Sequence, residues 1–66
     1  MKIQSVLIDK DIYTLEEAIE FLDDYGLSHK KVDITDNYYR FRQIPPNKKY
    51  FYRTENFAKG IKIIVV

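Results

Sequence analysis

The 66-residue chain has no cysteine, a single histidine, two glycines, two prolines and two serines. Each shortage removes a class of chemistry. Without cysteine there is neither a disulfide to staple a small fold nor a thiolate to hold zinc, and the composition suits a reducing, cytosolic compartment. Gly26 and Gly60 stand alone, so no glycine-rich loop exists to cradle a phosphate. Ser28 and His29 are adjacent in sequence, whereas a nucleophile and its base must have their tips brought together by the fold. His29 reads instead as a loop residue beside a helix C-terminus. Asp33, Asp36 and Asn37 lack the glycine and closing glutamate of a calcium loop. The expectation is a protein without catalytic residues, metal or cofactor.

Long apolar runs are missing as well. The longest, Ile63 to Val66, falls far short of the ~20 residues of a spanning helix, and no apolar segment follows Lys2 as in a signal peptide. A soluble, non-membrane protein is expected, and Met1 without a tag-like tail reads as a whole natural chain. A domain this short buries only about 60% of its unfolded surface. Ordering at roughly 1.5 kcal/mol per residue nearly cancels the gain from apolar burial. Residues 1–66 therefore form one domain that needs most of its large apolar side chains for the core. A homo-oligomer that completes its core between subunits is the other option.

The formal net charge of +1 hides a division. Residues 1–26 set two lysines against seven carboxylates, a balance of −5, and residues 27–66 set nine Lys or Arg against three, a balance of +6. Seven of the ten aromatic residues also lie from Tyr38 onward. Such a division serves internal complementarity or presents two faces to different partners; in a chain this small, internal complementarity is the expectation.

Lys2 to Ile8 reads as a buried strand. Thr14 with Glu17 three residues later makes a capping box, and Leu15, Ala18, Ile19 and Leu22 draw one apolar stripe, widened by Phe21 and Tyr25. Glu16, Glu17, Glu20, Asp23 and Asp24 take the solvent side. Gly26 closes the helix, with Leu27 set against Leu22 as a Schellman pair. Asp23 and Asp24 oppose the helix dipole, and His29, Lys30 and Lys31 follow at once to offset them. Lys30–Ile34 and Tyr38–Gln43 read as a hairpin around Thr35-Asp36-Asn37. Pro45-Pro46-Asn47 must be a loop. Lys49–Arg53 reads as a strand, Glu55–Lys59 as an irregular or helical turn, and Ile61–Val66 as a central last strand. The expected fold is α+β, in β-α-β-β-β order, with one helix on a four- to five-stranded mixed sheet whose first and last strands pair.

Functional interest centres on Asn37-Tyr38-Tyr39-Arg40-Phe41-Arg42-Gln43, where aromatic and basic residues interleave. Strand alternation sends Tyr39 and Phe41 one way and Tyr38, Arg40 and Arg42 the other. The Lys49–Arg53 strand adds Phe51 to the core side and Tyr50 and Tyr52 to the outer one. The candidate binding residues are thus Tyr38, Arg40, Arg42, Tyr50 and Tyr52. Tyrosine beside arginine is the chemistry of a protein-interaction hot spot, and equally of a stacking platform for single-stranded nucleic acid. A purely structural reading competes: tyrosine suits strands, and Arg40 or Arg42 pairs with the acidic helix.

Thr14-Leu15-Glu16-Glu17-Ala18, a glycine closing the helix, Lys31-Val32-Asp33, Asn37 to Gln43, Arg53-Thr54 and Lys59-Gly60-Ile61-Lys62 follow in that order. In this the chain resembles a short module of tailed phages and large DNA viruses, found alone or beside the XkdF-like phage serine protease domain. The resemblance spans nearly the whole chain and is most specific at Tyr38–Gln43 and Lys59–Lys62. It implies a viral or phage origin and work in a virion or the host-cell interior, but no protease activity, because no catalytic serine set is present. The expected function is protein binding in virion assembly or host contact, with a viral or host protein as partner; nucleic-acid binding through the same face is the alternative.

Overall fold

The computed structural model describes residues 2–66. The elements run β1 (Ile3–Asp9), α1 (Leu15–Asp24), β2 (Val32–Ile34), β3 (Tyr38–Arg42), β4 (Arg53–Ala58) and β5 (Ile61–Val65). The strands form one sheet in the order β2-β3-β1-β5-β4, and every pairing is antiparallel. The fold is α+β, with the first and last strands paired inside the sheet as expected. The mixed sheet is corrected. Each interior strand runs against both neighbours, and the β2–β3 and β4–β5 connections are hairpins, which can only join antiparallel strands.

Helix α1 forms for the reasons its sequence announces. The Thr14 hydroxyl accepts from the Glu17 N–H at 3.2 Å, and the Glu17 carboxylate accepts from the Thr14 N–H at 2.9 Å. At the other end Gly26 adopts φ 68°, the Leu27 N–H donates to the Leu22 carbonyl at 2.8 Å, and the Gly26 N–H donates to that of Asp23 at 3.1 Å. Those two bonds complete the Schellman motif. Ala18 and Leu22 are buried against Val6 and Ile8 of β1, Phe41 of β3, and Ile61, Ile63 and Val65 of β5. Tyr39, Leu15, Ile19, Phe21 and Leu27 pack around that core. Among the described residues no base stands in the last turn, and His29 meets Asp23 at 2.9 Å.

The third segment of the expected group is displaced. Of the expected Lys49–Arg53 strand, residues 49–52 are turn and loop, and the strand is Arg53–Ala58, over much of the Glu55–Lys59 stretch expected as an irregular or helical turn. Lys59 and Gly60 make a two-residue turn, with Gly60 at φ 77°, and Ala58 pairs with Ile61 across it. β5 thereby finds its second neighbour at minimal loop length, and this pairing overrides the strand propensity of Tyr50-Phe51-Tyr52. Phe51, expected in the core, is 96% exposed.

A buried polar group anchors the loop that follows β3. The register shifts around Gln4, whose side-chain amide donates to the Ile44 carbonyl at 3.0 Å and whose Oε1 accepts from the Ser5 hydroxyl at 2.6 Å. Both residues are buried, so these bonds satisfy groups that would otherwise be costly. Gln43 meets Ser28 with both ends of its amide, accepting at 2.8 Å and donating at 2.7 Å, which ties the approach to β2 onto the end of β3.

Candidate functional site

Phe41 faces the helix at 0% exposure, and alternation therefore puts Tyr38, Arg40 and Arg42 on the helix-free face, each half-buried. Across the sheet Arg40 stands opposite Leu7, Leu7 opposite Lys62, and Lys62 opposite Asn56. The next row is Arg42, Ser5, Ile64 and Thr54. Leu7 and Ile64 supply an apolar floor with cations on either side of it. The Lys62 ammonium lies 5.8 Å from the Tyr38 ring centroid, within cation–π range. Asp33 is opposite Arg40 on the edge strand β2 without closing an ion pair. Among the described residues the ion pairs are His29–Asp23 and Arg53–Glu55. The expected pairing of Arg40 or Arg42 with the acidic helix is thus overturned, because the sheet itself stands between them.

Tyr50 and Tyr52 do not join that row. They lie in the loop between β3 and β4, ring centroids 6.5 Å apart at 86°. The loop is organised around Asn47. Its carbonyl accepts from the Tyr52 hydroxyl and the Tyr50 N–H, each at 3.1 Å, and its side chain accepts from the Lys49 N–H at 2.9 Å. Tyr52 thus serves first as a clamp, and Phe51 is displayed outward. An open cleft of about 480 Å³ runs between this loop and the sheet's end, lined by Lys2, Lys49, Tyr50, Phe51 and Val66. Of the five candidate residues the fold gathers three and sets two apart.

Two surfaces escaped the sequence reading. Lys30 and Lys31 share a cleft of about 170 Å³ with Arg42, Gln43 and Pro45, extending the basic region beyond β3. On the helix side Phe21, Tyr25 and Phe57 form an aromatic cluster with centroids 4.7 to 5.7 Å apart. Tyr25 is 58% and Phe57 46% exposed. Phe57 lies at the register shift between Asn56 and Ala58, so regular strand alternation offered no signal for it.

His29 Nε2 meets Asp23, while the Ser28 hydroxyl accepts from the Lys30 N–H at 3.3 Å. Among the described residues no group of three or more His, Cys, Asp or Glu gathers to hold a metal ion, and no helix is long and apolar enough to cross a membrane. No family model, curated protein or solved structure matches the chain, so the site rests on its own geometry.

Proposed function

We propose that the chain is a non-catalytic binding module whose helix-free sheet face takes an acidic protein partner through Tyr38, Arg40 and Arg42. One observation carries this reading. Arg40, Arg42 and Lys62 share a face, and among the described residues no carboxylate pairs with them. Arginine and tyrosine over an apolar floor are what interface hot spots are made of. Phe51 and Tyr50 add an aromatic edge at one end. The resemblance of Tyr38–Gln43 and Lys59–Lys62 to the viral module gives the context: assembly or host contact, in a virion or the host-cell interior, with a viral or host protein. Affinity capture with wild type, R40A/R42A and the distant control K59A tests the face. The partner is retained by wild type and K59A and lost by R40A/R42A; equal capture by all three overturns the assignment.

Nucleic-acid binding is a second reading, favoured by Lys30 and Lys31 beside Arg42 and by the exposed rings of Tyr50 and Phe51. Bases would stack on the rings while phosphates meet the cations. Gel shifts with single- and double-stranded DNA and RNA decide it. Affinity then falls linearly with salt on logarithmic axes, and no shift at low salt removes this reading.

A further inference from the structure

We infer that the acidic partner of the helix-free face is the helix side of a second copy of this chain, so that the protein stacks head to tail. The inference rests on the proposed binding face and names its occupant. The division of charge along the chain is also a division in space. Arg40, Arg42 and Lys62 lie on one side of the sheet, and Glu16, Glu17, Glu20, Asp23 and Asp24 lie on the exposed side of the helix covering the other. Internal complementarity is barred by the sheet. Among the described residues, the ion pair those helix carboxylates make is the exposed contact of Asp23 with His29.

The acidic side also carries apolar anchors. Glu17, Glu20 and Asp24 share a shallow cleft with Phe21 and Tyr13, and Phe21 belongs to the cluster with exposed Tyr25 and Phe57. Carboxylates beside aromatic rings are what two guanidinium groups over an apolar floor can meet, by charge-assisted hydrogen bonds and by stacking on the rings. Because the two surfaces are different and lie on opposite sides of the molecule, the contact is heterologous. It leads to rings or open filaments rather than to a closed two-fold dimer. The accessible surface is 4900 Å² in all, so the ~800 Å² per partner of a standard interface would take about a sixth of it. Because exposed charges carry it, the stacking is concentration-dependent and sensitive to salt.

Sedimentation over a range of concentrations tests this with wild type and two charge-reversed variants, R40E/R42E and E20R/D24R. In low salt the average mass of wild type rises with concentration. It returns to that of the monomer as salt shortens the Debye length from about 10 Å at 0.1 M to about 3 Å at 1 M. Each variant alone stays monomeric while keeping a single cooperative thermal transition, and an equimolar mixture of the two associates again, since reversed faces then meet reversed faces. A wild type that stays monomeric at every concentration in low salt overturns the stacking, as does a mixture that fails to associate. If the wild type is monomeric while R40A/R42A still loses its captured partner, the stacking falls and the binding face stands. If oligonucleotides shift wild type but not R40E/R42E and no self-association appears, the face belongs to nucleic acid.

Discussion

Phe41 and its two arginine neighbours show how one residue's step along a strand separates stability from function. Phe41 is wholly buried against the helix, whereas Arg40 and Arg42 point to the other side. Phe41→Ala is expected to cost about 3–5 kcal/mol in urea unfolding. Arg40→Ala and Arg42→Ala should stay within about 0.5 kcal/mol of wild type while weakening partner capture. The glycines offer a second contrast. Both have positive φ, so each replacement carries a left-handed penalty of about 1–2 kcal/mol. A Cβ at Gly26 meets open space, but at Gly60 it would lie 2.9 Å from Ile12 Cδ1 and 3.0 Å from Tyr13 Cε2. Gly60→Ala is therefore expected to destabilise more than Gly26→Ala, measured as the difference between their urea midpoints.

At the scale of elements the helix is legible and the β4–β5 hairpin is not. Thr14, Glu17, Gly26 and Leu27 interact within a few residues of one another, so their types and spacing suffice. Thr14→Ala should cost about 1 kcal/mol. Asp24→Lys, which puts a cation where the dipole favours one, should raise stability by about 0.3–1 kcal/mol at low ionic strength. Thermal unfolding of both variants beside wild type checks the pair of opposite signs. β4 depended on information from outside itself. Arg53–Ala58 is mostly exposed and mixed in polarity, and it is a strand because β5 lies two residues away around Gly60. Tyr50-Phe51-Tyr52 has the stronger propensity but is held in a turn by Asn47.

For the molecule as a whole, the arrangement of strands sets an order of protection. β1 and β5 are interior, paired on both sides and lined by the core, whereas β2 has three exposed residues at an edge. Amide exchange should be slowest in β1 and β5 and fastest in β2 and in the 45–52 loop, since local openings there expose little apolar surface. Equal protection of β2 and β5 would contradict this order.

The residues alone determined the helix with both its caps, the first hairpin, the pairing of terminal strands and the alternation that separates Phe41 from Arg40. The pairing was read from the apolar character of both terminal strands, and the rest follow from local geometry or from a period of two or 3.6. Tertiary structure decided the direction of every strand, the fate of Phe51, the position of Tyr50 and Tyr52, and the meaning of the charge division. Those outcomes depend on which segments lie beside one another. A sheet between the acidic helix and the arginines is a fact about three dimensions, and it turns an expected internal salt bridge into two outward-facing surfaces of opposite sign.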